Sequence, residues 1–159
     1  MLLSHRIAGM LFASFVACSA ACRAPKEAHR APSARVHDDF GTPIAVGATP
    51  QRIVSLNPTT TEILVALGVK PRLVGRSQYD TFPDSVRSVP SLGIALRPSV
   101  EAILAVHPDL VVLYASEDNR PAYDRLRSAG MSVVAFKIDS IAQFQRDARL
   151  LGRLTGDSA

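Results

Sequence analysis

From residue 53 onward, four short apolar runs alternate with segments of helical character, and this alternation restricts the fold more than any other feature of the chain. Ile53-Val54-Ser55-Leu56, Leu73-Val74-Gly75, Leu110 to Tyr114 and Val133-Val134-Ala135-Phe136 are almost uninterrupted by charge, the pattern of strands covered on both faces. Strands separated by helices imply an α/β fold: a parallel sheet flanked by helices and joined by right-handed crossovers. Ahead of it, VHDDFGTPIAV (Val36 to Val46) has two β-like runs around Phe40-Gly41 and predicts a short N-terminal β-hairpin.

The helices carry their own start and stop signals. Asn57-Pro58-Thr59 opens one that runs through Leu67 and stops at Gly68; Pro58 suits the first turn, where its missing N–H is not needed. Thr59 followed three residues later by Glu62 spells a capping box. Ser99 starts a helix expected to bury Val100, Ile103, Leu104 and Val106 and to end before Pro108-Asp109, with His107 as a cation at its C-terminal dipole. Asn119 or Pro121 starts a third, closed by Gly130. Ile141, Phe144, Ala148 and Leu151 recur at helical spacing and predict one apolar stripe to about Leu154. Pro83 and Pro90 break the stretch Arg76 to Arg97 into irregular structure.

The N-terminus reads as an address. Arg6 precedes an uncharged apolar run, Ile7 to Ala17, shorter than the roughly 20 residues a membrane-spanning helix needs. It suits the h-region of a signal peptide, residues 1–17. Phe15-Val16-Ala17-Cys18 resembles the lipobox of bacterial lipoproteins, which makes Cys18 the expected acylated residue, with Cys22 as the alternative. Ordinary cleavage after Ala21 is the competing reading. RAPKEAHRAPSAR, within 18–35, has the composition of a disordered tether. Arg6 and the excess of Arg23, Lys26, Arg30 and Arg35 over Glu27 account for the whole formal charge of +4, so segment 36–159 is net neutral. The basic tether favours an anionic lipid surface, whereas the domain offers no basic groove for nucleic acid.

In a doubly wound sheet, ligands collect at the carboxyl ends of the strands. The loops beginning at Asn57, Arg76 and Ala115 are expected to share that edge. The segment lacks a G-x-G-x-x-G after a strand, a P-loop and a G-x-S-x-G elbow, and both cysteines lie in the leader. His5, His29, His37 and His107 are scattered, so no zinc ligand set is assigned, and no catalytic residues or cofactor are expected. Aromatic faces with a few polar groups suit a large, flat, partly apolar molecule. The candidate ligand residues are Tyr79, Asp80, Phe82, Tyr114, Ser116 and Glu117, with Asp118 and Asn119 nearby. Core packing of Phe82 and Tyr114, and solvated loop charges at Asp80 and Glu117, are the competing readings.

From Arg52 the chain resembles the ABC-importer substrate-binding proteins for cobalamin and ferric siderophores. RIVSLNPTTTEILVALGV (52–69), LVGRSQYDTFPDSV (73–86), SVEAILAVHPDLVV (99–112) and RLRSAGMSVVAF (125–136) carry the resemblance. It implies an extracytoplasmic binding protein of two lobes joined by a long helix, feeding a permease and its ATPase. Glu62 matches the glutamate that docks on permease arginines. Tyr79 matches an aromatic that lies against the corrin ring, and Tyr114 falls where cobalamin binders can carry a tryptophan. Gly93 to Leu96 lacks the aromatic found in some cobalamin binders, and the arginine of hydroxamate binders is absent from its place, although Arg97 is near. The ligand implied is cobalamin or another corrinoid, followed by ferric siderophore or haem. By this resemblance residues 36–159 are the N-terminal lobe, ending at the start of the linking helix, which implies a fragment or a truncated gene. A flavodoxin-like enzyme and a ligand-free interaction module are the alternatives.

Overall fold

Every residue of Ile53–Leu56 is buried, as a strand covered on both faces requires, and this strand, β1, lies inside the sheet. The computed structural model describes residues 36–45 and 47–156; the leader, the tether, Cys18 and Cys22 lie outside the described residues. The chain continues through α1 (Pro58–Ala66), β2 (Leu73–Arg76), α2 (Val100–Ala105), β3 (Leu110–Tyr114), α3 (Arg120–Ser128), β4 (Val133–Phe136) and α4 (Ile141–Thr155). The strands pair in parallel in the order β2-β1-β3-β4. The α/β expectation holds, and each short apolar run is a strand.

Successive strand residues point to opposite faces, so two cores form. Ile53, Leu110, Val112, Val134 and Phe136 pack with Ile63 and Leu64 of α1 and Leu150, Leu151 and Leu154 of α4. Val54, Leu56, Val111, Leu113, Val133 and Ala135 pack with Val100 and Ile103 of α2 and Tyr123 and Leu126 of α3. Each fully buried side chain of this size contributes about 1.5–3 kcal/mol over its exposed state.

Both sheet edges are covered, which removes a template for unwanted strand pairing. The hairpin around Phe40-Gly41 closes through the His37–Pro43 bridge and reaches β4: Asp39 N donates to Ala135 O at 2.9 Å and Ala135 N donates to Asp38 Oδ2 at 3.2 Å. At the other edge the loop before α2 runs along β2, with Arg76 N donating to Pro90 O at 3.0 Å and Leu92 N donating to Arg76 O at 2.8 Å. The stretch predicted to be irregular also contains a 3-10 turn at Asp84–Ser88.

Several local expectations need correction. Asn57 is the N-cap of α1: its backbone is extended and its side chain accepts from Thr59 N. Pro58 is then the first helical residue, and Glu62 lies too far along the helix to close a capping box. Asn119 precedes α3 without a side-chain cap; its side chain instead accepts from Arg97 N at 2.9 Å and donates to Tyr114 O at 2.9 Å. Leu104 and Val106 are only half-buried. His107 is exposed in a left-handed conformation (φ 47) just past α2, and the cation on that helix end is Arg52, which donates to Val106 O at 2.7 Å and His107 O at 2.9 Å. The stripe on α4 is buried only at its far end: Ile141 is 78% and Phe144 44% exposed, and the buried face is Asp147, Leu150, Leu151 and Leu154.

Candidate ligand rim and docking face

The sheet order sets the site. From β1 the chain crosses to β2 at one edge, and from β3 it crosses to β4 at the other. The loops after β1 and β3 therefore diverge, and such a divergence leaves a crevice at the strands' carboxyl ends. Asn57 stands at the end of β1, Ser77 at the end of β2, Ala115 and Ser116 at the end of β3, and Lys137 to Asp139 at the end of β4.

Tyr79 follows β2 by three residues, with its side chain in solvent (56% exposed). Tyr114 is the last residue of β3 and half-buried, its hydroxyl donating to Asp139 Oδ1 at 3.3 Å. Asp139 also pairs with Lys137 at 3.3 Å. Strands β2 and β3 flank β1, so at about 4.8 Å per strand spacing their ends stand roughly 10 Å apart. The two tyrosines therefore stand on one edge, two strands apart. Ser116 adds a hydroxyl oxygen that is buried with no hydrogen-bond partner among the described residues. Buried polar groups are rarely left so.

Asp80 is not a rim group. It is buried (1% exposed), with Oδ1 accepting from Ser77 Oγ at 2.7 Å and Oδ2 accepting from Ser77 N at 3.0 Å and Thr61 Oγ1 at 2.8 Å. Burial pushes its pKa up from the usual carboxylate value, against the hydrogen bonds from Ser77 and Thr61 and the nearby Arg76 charge. Neither direct ligand contact nor a solvated charge describes it.

Two other candidates leave the rim for opposite flanks. Phe82 is 66% exposed and lines an open apolar groove of about 420 Å³ with Glu62, Val65, Leu67, Pro83 and Phe144, on the α1/α4 side. Glu117 lines a more polar recess of about 440 Å³ on the α2/α3 side with Arg97, Asp118 and Arg125. There Arg97, at φ 53, pairs with Asp118 at 2.6 Å. The structure thus brings Tyr79, Tyr114 and Ser116 to one edge, joins Phe82 to Glu62, and separates Glu117 from both groups. Glu62 is exposed on α1, as docking on a partner requires.

Lys137 and Asp139, outside the candidate set, stand on the same edge after β4. The edge rule that selected the first three loops applies equally to the fourth. Thr61 and Ser77, the partners of Asp80, are not among the candidates, because only the fold brings them together.

A family model described as periplasmic binding protein matches residues 53–159. Among curated relatives, a cobalamin-binding protein of Halobacterium salinarum is 36% identical over 77% of this chain and 34% of its own length. A substrate-binding lipoprotein of an ABC transporter in Bacillus subtilis, YvrC, is 29% identical over 76% of this chain and 39% of its own. Among solved structures, a periplasmic heme binding protein from Pseudomonas aeruginosa aligns with a TM-score of 0.64 at 28% identity, covering 68% of this chain and 39% of that one. The chain spans between a third and two fifths of the length of these relatives.

Proposed function

This chain belongs to the periplasmic binding protein family, and from that premise we propose that it contributes the N-terminal lobe of an extracytoplasmic substrate-binding component of an ABC importer. The observation that carries the reading is the exposed ring of Tyr79 on the same carboxyl edge as Tyr114 and the unpartnered Ser116 hydroxyl. Two aromatic faces at one edge supply stacking surface for a planar macrocycle, and Ser116 lies beside them. The ligand is cobalamin or another corrinoid first, in keeping with the relative named for cobalamin, and ferric siderophore or haem second. The role is capture and delivery, not catalysis. Glu62, exposed on α1, docks on a basic site of the permease that the ATPase drives. Acylation of Cys18, or alternatively Cys22, tethers the domain outside the membrane through the basic linker. Labelling with palmitate in Cys18→Ser and Cys22→Ser chains separates the two: the label disappears from only one of them.

The reading is tested by titrating cyanocobalamin, haemin and a ferric hydroxamate into the full chain, followed by tyrosine fluorescence, since there are 3 tyrosines and no tryptophan. Saturable binding of one probe, weakened about tenfold by Tyr79→Ala, is expected. Absence of binding by all three would sink the ligand class. Binding indifferent to Tyr79→Ala would move the ligand off this rim.

A further inference from the structure

The loop that carries Tyr79 and the helix that carries Glu62 are joined through one buried polar chain. Tyr79 N donates to Ser77 Oγ at 3.2 Å, and Ser77 Oγ donates to Asp80 Oδ1 at 2.7 Å. The other carboxylate oxygen, Oδ2, accepts from Thr61 Oγ1 at 2.8 Å, and Thr61 directly precedes Glu62 on α1. Ser55 Oγ of β1 lies 2.8 Å from Thr61 Oγ1 and 3.0 Å from Thr60 Oγ1, and Thr60 Oγ1 donates to Asn57 O at 2.9 Å. An ionised carboxylate only accepts, so it takes the single Thr61 hydroxyl proton, and Ser55, with one proton of its own, donates to one of the two threonines at a time. Ser55, Thr60, Thr61 and Ser77 are fully buried and Asp80 is 1% exposed, whereas Tyr79 and Glu62, at the two ends, face solvent.

Such a network in the interior is costly where apolar packing would fill the same space, and its return is one fixed geometry. Each link is directional. A displacement of the Tyr79 backbone moves Ser77, and Ser77 shares the carboxylate with the first turns of α1. We propose that Asp80 is a positioning residue that couples the Tyr79 rim to the Thr61–Glu62 turn, so that the state of the ligand edge is transmitted to the exposed face of α1. Its functional meaning, ligand state reported to a docking partner, rests on the reading proposed above. The mechanical coupling does not.

The test therefore uses the full chain without ligand. Tyr79→Gly loosens the rim loop, and NMR amide exchange reads the response at Thr61 to Leu64. In the otherwise unaltered chain, Tyr79→Gly is expected to raise exchange at these amides about threefold or more. Combined with Thr61→Val, which removes the hydroxyl and keeps the volume, Tyr79→Gly should leave them unmoved; with Thr61→Ser, which keeps the hydroxyl, transmission should return. Amides of β3, which shares no member of the network, should stay constant throughout, and this separates coupling from general loss of stability. Should Thr61→Val not fold, Thr61→Ala removes the same hydroxyl and carries the same expectation. Transmission that persists when the chain is cut, or that is absent from the unaltered chain, overturns the proposal. Failure of every ligand probe to bind would overturn the functional reading and leave this result standing.

Discussion

The phenol of Tyr123, on α3, donates to Asp38 Oδ2 at 2.6 Å across 85 residues of sequence, and this bond fastens the N-terminal hairpin to the helix layer. The same carboxylate accepts from Ala135 N on β4 and, through Oδ1, from Phe40 N and Thr42 N within the hairpin. Asp38 is thus the point where hairpin, edge strand and α3 meet.

Removing either partner should have unequal effects. Tyr123→Phe deletes one charge-assisted hydrogen bond, for which about 1.5–3 kcal/mol is expected. Asp38→Ala leaves three backbone N–H groups and the phenol without their acceptor, so its cost should be larger. Urea denaturation of both single variants and the double variant checks this: the double should cost less than the two singles added together. Strict additivity would mean that the bond contributes nothing.

The architecture was legible because burial on both faces leaves a strong trace: Ile53–Leu56 and Leu110–Tyr114 have few polar positions to misread. The start of α1 was half legible. Pro58 marks the first helical position and so points to Asn57 as the cap, but the Thr59/Glu62 spacing imitates a capping box two residues further on. On α4, periodicity fixes the angle at which Ile141 and Phe144 project but not how far the helix has advanced over the sheet, and so both were expected inside. The rim tyrosines were readable from strand ends alone. The burial of Asp80 was not, because its partners lie 3 and 19 residues away and the latter becomes a neighbour only when α1 packs against the sheet.

Through Asp80, acidity should favour the folded state. Burial raises the folded-state pKa of Asp80 above its value in the unfolded chain, so the folded state binds the extra proton first. The resulting stabilisation is fully present below the unfolded pKa and is lost as pH rises through the folded value. Asp147 is raised too, chiefly by burial and against its Arg146 partner, so the observable is the difference between the unaltered chain and Asp80→Asn. Measured by denaturation from about pH 3 to pH 7, the stability advantage of the unaltered chain over Asp80→Asn should shrink as pH rises. A difference that stays flat, or grows with pH, would contradict a raised pKa at Asp80.

Glu62→Lys should separate docking from folding and from ligand capture. The side chain is exposed, belongs to no capping box and stands apart from the Tyr79 rim, so stability should change by no more than about 0.5 kcal/mol. Probe affinity should likewise be unchanged. If Glu62 docks on a basic permease site as proposed, association with membranes containing that permease should fall sharply, because reversing the charge sets like against like. Association that survives the exchange would show that Glu62 is not the docking residue.

Gly75 and Leu92 provide a last prediction, concerning how the edge beside Tyr79 is held. Gly75 is buried in β2, and a Cβ added there would lie 2.5 Å from Leu92 Cδ1 and 2.9 Å from its Cγ. The segment around Leu92 is the continuation of the sheet: Leu92 N donates to Arg76 O at 2.8 Å, and Gln78 N donates to Gly93 O at 2.7 Å, immediately before Tyr79. Gly75→Ala must therefore push Leu92 outward, and overpacking of this kind costs about 1–3 kcal/mol. Because the displaced segment holds Gln78, amide exchange should rise at Gln78 and Tyr79 more than in β3. Shortening the obstructing side chain should restore room, so Gly75→Ala with Leu92→Ala should be less destabilised than the sum of the two single variants. If Gly75→Ala alone is neutral and the Tyr79 loop is unmoved, Leu92 swings aside freely and the close approach does not hold the rim.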